Sequence, residues 1–230
     1  MSFRSMIDEW FADRVEEDHQ VREVFTVEPD QPLTFSSDLG IGELGLSCCE
    51  GEEARLDASY SKTPPQIKYK GQHLKVFQDT KGFKPWKKDK QRWSIYVPRN
   101  NSFHLNLNLG AGNSTIDLKE LELRKLKISC GIGDCHLHFT NIKVTQDIPV
   151  KIDGGVGNQV IHLSDDVPAV IQVNKGMGKF NGENLIPQGS GRYCTRAYQQ
   201  GRPHMKMKLN VGVGDVSVRR QAELIKSESV

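Results

Sequence analysis

Apolar residues in this chain fall on alternate positions around short glycine motifs and keep one register from motif to motif. In His104-Leu105-Asn106-Leu107-Asn108-Leu109 every second residue is leucine and the others are polar. A spacing of two puts one set of side chains on one face of a strand. Gly110-Ala111-Gly112 follows, and five more motifs share its form: Gly40-Ile41-Gly42, Gly131-Ile132-Gly133, Gly155-Val156-Gly157, Gly176-Met177-Gly178 and Gly212-Val213-Gly214. Five residues before the first glycine of the later five stand Leu105, Leu126, Val150, Ile171 and Met207; three before stand Leu107, Ile128, Ile152, Val173 and Leu209. Six and eight after come Ile116 and Leu118, Leu137 and Phe139, Ile161 and Leu163. Each unit therefore predicts a strand, a Gly-x-Gly corner and a second strand, with glycine at the corner because it tolerates positive φ and close backbone approach. First-glycine offsets of 21, 24, 21 and 36 residues predict stacked rungs, each covering the apolar row of the next. The expectation is an all-β solenoid.

The pattern changes at both ends. Over Ser5 to Val24 it becomes helical: Phe3, Met6, Ile7, Trp10, Phe11 and Val15 follow that spacing, while Asp8, Glu9, Asp13, Glu16, Glu17 and Asp18 crowd the other face. A membrane-surface helix would carry Lys and Arg there. This predicts an N-terminal α-helix that caps the solenoid, with Phe3, Ile7, Trp10 and Phe11 as the residues that pack on the cap or dock a partner. Residues 1–25 are assigned to that helix, 31–219 to the solenoid and 220–230 to a polar tail. Between them, Gln31 to Tyr60 predicts a first strand pair, Ile67–Tyr69 and Leu74–Phe77 a hairpin around Gly71, and Trp93–Val97 a strand. Regular rungs run from Phe103 to Lys179. Asn181 to Pro203 is expected to be a loop, and Met205 to Arg219 the strand pair that closes the stack.

Size and charge narrow the function classes. A chain of 230 residues is long enough for one sizeable core. With 26% charged residues and a net charge of +2, it predicts no specific nucleic-acid partner. No apolar run approaches the roughly 20 residues of a membrane helix, and Met1 to Gln20 has no apolar signal-peptide region. Five cysteines without framework spacing fit a reducing compartment. The expected location is cytoplasmic, extending to the membrane periphery.

Two groups of residues carry candidate chemistry. His136 and His138 alternate outward around one corner; His138 and His162 occupy equivalent places in consecutive rungs, and Asp117 holds that place one rung earlier. Imidazoles on strands about 4.8 Å apart suit zinc, copper or nickel; the competing expectation is a solvated histidine ladder. The run Lys81 to Trp93 interleaves bases and rings, and its Lys84, Trp86, Lys87, Lys88, Arg92 and Trp93 would hold an anion or glycan. Here the competing expectation is a solvated tip whose tryptophans pack locally. Corner residues Glu43, Asn113, Asp134, Asn158, Lys179 and Asp215 form a polar row, but the nine-residue aspartate repeat of calcium-binding β-rolls is missing. Strand follows each glycine motif where a phosphate loop needs a helix. Cys48, Cys130 and Cys135 are expected to act as small hydrophobes. No cofactor and no catalytic residue is assigned, so the expectation is a non-enzyme.

In order along the chain, Leu39-Gly40-Ile41-Gly42-Glu43-Leu44, Ala58-Ser59-Tyr60, Pro65-Gln66-Ile67-Lys68-Tyr69, Trp93-Ser94-Ile95, Leu105 to Gly112, Gly155-Val156-Gly157 and Val211 to Val218 resemble the toast-rack domains. These include the C-terminal domain of LiaF-type cell-envelope stress proteins and related adhesin-like bacterial β-solenoids. The resemblance covers Leu33 to Arg219. It implies a single-stranded right-handed β-helix and a sensing or adaptor role in bacterial envelope stress, and it carries over no catalytic residue. Three function classes follow in order: an interaction module for a protein partner such as a membrane stress-response protein; a ligand-binding domain for a polyanion, glycan or metal; and a self-associating structural solenoid.

Overall fold

A computed structural model describes residues 19–28, 31–78 and 91–220. In chain order the strands are β1 (His19–Thr26), β2 (Leu33–Ile41), β3 (Glu43–Cys49), β4 (Glu53–Tyr60), β5 (Gln66–Lys70), β6 (His73–Phe77), β7 (Gln91–Pro98), β8 (Ser102–Ala111), β9 (Ser114–Asp117) and β10 (Glu122–Ile132). They continue as β11 (Cys135–Phe139), β12 (Ile148–Val156), β13 (Gln159–Leu163), β14 (Ala169–Met177), β15 (Phe180–Gly182), β16 (Ile186–Gly189), β17 (Arg192–Cys194), β18 (Met205–Val213) and β19 (Val216–Arg220). Every Gly-x-Gly motif joins a strand of one sheet to a strand of a second: β2 to β3, β8 to β9, β10 to β11, β12 to β13, β14 to β15 and β18 to β19. The first strands belong to a sheet ordered β16-β17-β14-β18-β12-β10-β8-β2-β6-β5. The second strands belong to one ordered β1-β4-β7-β3-β9-β11-β13-β19-β15.

Alternation builds the core. In β8, Phe103, Leu105, Leu107 and Leu109 point inward; in β11, Cys135, Leu137 and Phe139 do so. Neighbouring rungs run parallel and in register, Leu126 beside Leu105 and Val150, Ile128 beside Leu107 and Ile152. The apolar rows thus stack into one core between the sheets, whose largest fully buried side chains include Trp93, Phe35, Phe103 and Phe139.

The order of the last rungs departs from expectation. The pair β18–β19 does not close the stack: β18 lies between β12 and β14, and β19 between β13 and β15. The terminal rung is β14–β15. Its residue 175 shows why. Leu109, Cys130 and Val211 fill the inward place just before the first glycine in other rungs and are buried. Lys175 stands there in β14, exposed, its Nζ donating to the Gly178 carbonyl at 2.8 Å. An ammonium in that place cannot be sandwiched between two rungs without a large desolvation cost. The segment 181–203 is correspondingly more than a loop. It contains the antiparallel pair β16–β17, and β17 covers the outer edge of β14 at Val170–Gln172.

The other end is also corrected. The predicted helix does not reach Val24, because His19–Thr26 is strand β1, antiparallel to β4. Its Phe25 belongs to the core between the sheets and its Val21 packs against that core. β1 is part of the nine-stranded sheet, so the boundary expected at residue 25 falls inside the fold. Phe3, Ile7, Trp10 and Phe11 lie outside the described residues. The hairpin around Gly71 forms as expected, β5 pairing antiparallel with β6. β6 and β7 make an additional rung beside β2–β3.

Candidate functional site

The corners form a continuous edge along the molecule, and glycine is what lets them stack. A Cβ on Gly131 would lie 2.3 Å from the carbonyl oxygen of Gly110, and one on Gly133, at φ +132°, 1.9 Å from that of Gly112. Between the glycines the middle residue points outward. Ile41 pairs with Ala111, Ala111 with Ile132, Ile132 with Val156, Val156 with Val213 and Val213 with Met177. The result is an apolar ladder of six residues over about 24 Å at ~4.8 Å per step. Exposure is 36% at Ile132, 42% at Val156, 39% at Val213 and 68% at Met177. No side chain flanks the ladder at the glycine positions.

The polar row after the corners has a structural task. The N–H of Asp134 donates to Asn113 Oδ1 at 3.1 Å, that of Asn158 to Asp134 Oδ1 at 2.8 Å, that of Asp215 to Asn158 Oδ1 at 3.1 Å and that of Lys179 to Asp215 Oδ1 at 2.8 Å. Each carbonyl or carboxylate oxygen satisfies a backbone donor one rung away.

On the outer face of the nine-stranded sheet, His138 sits between Asp117 and His162 in one column that continues to Arg219. The rings of His138 and His162 are 4.5 Å apart and inclined by only 3°, a face-to-face stack. Desolvation, then the neighbouring His138, Arg219 and His136, hold His162 below its ordinary value. His136 stands two residues away, between Thr115 and Val160. Among the described residues no group of three or more His, Cys, Asp or Glu side chains is placed to hold a metal ion.

The outer face of the ten-stranded sheet is basic. Lys127, Lys151 and Lys208 stand in one column on the neighbouring strands β10, β12 and β18. The column two residues earlier holds Lys125, Pro149 and Lys206, all exposed. Lys151 pairs with Asp153 at 2.6 Å and Lys206 with Asp147. Nearer the corner runs a polar column in which Asn108 donates to Asp38 at 2.6 Å, Asn210 to Asp153 at 2.6 Å and Asn174 to Asn210 at 2.9 Å. Burial pushes the Asp153 carboxyl up, but Lys151 and Asn210 outweigh it and hold the group below its ordinary value.

Two of the buried thiols pack together. Cys130 and Cys135 face each other inside one corner, with Ser114 Oγ 3.7 Å from Cys130 Sγ. The hydrogen bond with Cys130, and then burial, hold the Cys135 thiol well above its ordinary value. Cys48 is half-buried, its Sγ 3.3 Å from the Lys119 carbonyl.

The profile of the family described as the N-terminal domain of toast_rack, DUF2154, matches residues 14–162. The chain belongs to this toast-rack family. The match ends at His162, within β13, so the rungs β14–β15 and β18–β19 lie beyond it. The toast-rack chain is similar in fold to a candidate cell adhesion protein from Clostridium sporogenes. Identity is 24% and TM-score 0.77, over 88% of this chain and 100% of the other. A candidate adhesin from Bacteroides fragilis aligns at 16% identity and TM-score 0.36, over 87% and 97%. No curated protein matches the sequence. No helix among the described residues is long and apolar enough to cross a membrane.

Against this geometry the candidate residues of the toast-rack chain divide. His138, His162 and Asp117 come together as one column, and His136 stands apart from it. Lys84, Trp86, Lys87 and Lys88 lie outside the described residues. Arg92 is exposed and bonded to Glu43 at 2.6 Å. Trp93 offers no ring to a ligand: it is fully buried, because β7 alternates and places Trp93, Ile95 and Val97 inward, and its Nε1 donates to Gln91 Oε1 at 2.9 Å. Two features escape motif reading, the lysine columns and the apolar ladder. Both are legible once residues are aligned on the first glycine: Lys127, Lys151 and Lys208 all stand four places before it.

Proposed function

We propose that this toast-rack protein is a non-enzymatic adaptor that docks a protein partner along its corner ridge. The apolar ladder Ile132–Val156–Val213–Met177 carries the proposal. A contiguous exposed apolar strip is the usual mark of a protein contact, and such contacts have uncharged centres. The bare glycines on either side let a partner approach the backbone. The stacked rungs hold the ladder rigid, which lowers the ordering cost of binding. The family resemblance supports a partner in bacterial envelope stress, a membrane stress-response protein met at the cytoplasmic face of the membrane.

The test is affinity capture after cross-linking, from membranes and cytosol of the native cell, with the wild type and with a Val156→Asp/Val213→Asp variant. Both positions are outward, so the variant should melt close to the wild type. A membrane stress protein captured by the wild type and lost with the variant is the expected result. The same capture with both proteins would remove the ridge as the docking site.

A further inference from the structure

We infer that the outer face of the ten-stranded sheet is a second binding surface, for a linear polysaccharide that carries one carboxylate per sugar. It lies on a different face from the ridge, so its test stands or falls separately from the adaptor proposal. Three neighbouring strands, β10, β12 and β18, bring Lys125, Lys127, Lys151, Lys206 and Lys208 to one surface. Asn106 on β8 and Gln172 on β14 interrupt the inner column, and basic residues resume beyond them, Lys75 on β6, paired with Asp38, and Arg192 on β17. Three lysines on adjacent strands thus stand together near the middle of the sheet, although the chain as a whole is nearly neutral.

Spacing and surroundings select the occupant. Lysines along a column repeat at the strand spacing of about 4.8 Å, close to the length of one sugar in an extended 1,4-linked chain, so a polyuronate crossing the strands meets one ammonium per carboxylate. Beside the lysines, the column of Asn108, Ser129, Asp153 and Asn210 offers amide, hydroxyl and carboxylate groups suited to sugar hydroxyls. On β10, β12 and β18 the lysine columns carry no large apolar side chain to enter a bilayer, and the one ring beside them, His104 next to Lys125 on β8, makes no stacking platform for successive bases. Lys151 and Lys206 already have acidic neighbours, Asp153 and Asp147. Lys125, Lys127 and Lys208 stand without an ion pair among the described residues, and they are the groups on which binding should depend most.

The test uses the whole protein and four probes at low salt: an oligogalacturonate, a neutral dextran, vesicles of phosphatidylglycerol with phosphatidylcholine, and oligothymidylate. The expected result is binding of the oligogalacturonate alone, lost as salt approaches about 0.15 M, because exposed charges are screened over about 8 Å there. The triple variant Lys125→Ala/Lys127→Ala/Lys208→Ala should bind about tenfold more weakly, since one exposed charge pair is worth at most about fivefold. Lys143→Ala, on an exposed loop, should bind as the wild type does. Thermal melting checks that all variants are folded. Failure to bind oligogalacturonate, equal binding by the triple variant, or tighter binding to vesicles or oligothymidylate would each overturn the inference.

Discussion

Six rungs turn between the sheets through paired glycines, whereas the rung made by β6 and β7 meets its neighbour through glutamines. Inside the stack, each corner has backbone above and below it, at distances that leave no room for a Cβ. At β6–β7 the residues that meet the neighbouring corner are Gln78 and Gln91, both buried. Gln78 Oε1 accepts the N–H of Gly40 at 3.1 Å, and Gln91 Nε2 donates to the Thr63 carbonyl at 2.7 Å. Side-chain amides replace the glycine-on-glycine contact where the stack gives way to antiparallel strands. Glycine is thus a requirement of backbone-on-backbone contact between stacked corners.

A graded glycine series would break that distinction most directly. Gly133→Ala places a Cβ 1.9 Å from a backbone oxygen and forces alanine to φ +132°. It should lose more than ~4 kcal/mol or fail to fold. Gly51→Ala keeps an unfavourable φ, +99°, but meets nothing within 4 Å, and should lose about 1 kcal/mol. Gly45→Ala has its nearest neighbour at 3.7 Å and no positive φ, and should stay within about 0.5 kcal/mol. Urea unfolding of the three measures this. Equal losses for Gly133→Ala and Gly51→Ala would mean that the corners do not stack as described.

The same contrast explains what could be read in the sequence. Corners, strands and core register were legible because stacking repeats one steric demand, two glycines and inward residues at fixed offsets. Rung order was not, since Met207 and Leu209 carry the same apolar register as Ile171 and Val173 and either pair would fit beside β12. The distinguishing mark was a single residue, Lys175, in a place where the others have apolar or small side chains. The helical reading ran past residue 18 because Val21 and Val24 also fit a 3.6-residue period. Trp93 was misassigned by grouping it with the basic run before it, when its own strand alternates. The histidine column followed directly from register, but register alone cannot say that His138 and His162 stack ring on ring and leave His136 aside.

The corner row supplies the next test. Asn158 links two rungs, its N–H to Asp134 and its Oδ1 from the Asp215 N–H. Asn158→Ala removes the acceptor, and with water able to replace it the loss should be about 0.5–1 kcal/mol by urea unfolding. Asn158→Asp keeps an acceptor and should lose less. If both behave alike, the row is not holding the corners together.

The two ends of the stack differ in a way that Lys175→Val would expose. The substitution gives the terminal rung an apolar edge, and its effect on stability should stay within about 0.5 kcal/mol. Without the charge, the edge is open to pairing with a second copy. Light scattering should show mass rising with concentration in the variant and not in the wild type. A gain in stability without association would instead place β14–β15 inside the stack.

The smallest effect separates the histidine column from the glycine corners, because it depends on pH while theirs does not. His162 has a depressed value in the fold, caused first by desolvation and then by His138, Arg219 and His136, with Glu183 acting in the opposite direction. A histidine whose folded value lies below its unfolded value of 6.5 binds its proton more readily when unfolded. Its contribution to stability is therefore complete above that unfolded value and declines as pH falls toward the folded one. Unfolding curves between about pH 8 and pH 5 should show the wild type losing stability in this window. His162→Gln should flatten that part of the profile and leave the alkaline side unchanged. His136→Gln should flatten it less, because its ring lies outside the stacked pair. A wild-type profile that rises as pH falls would mean that protonation, rather than neutrality, is what the column favours.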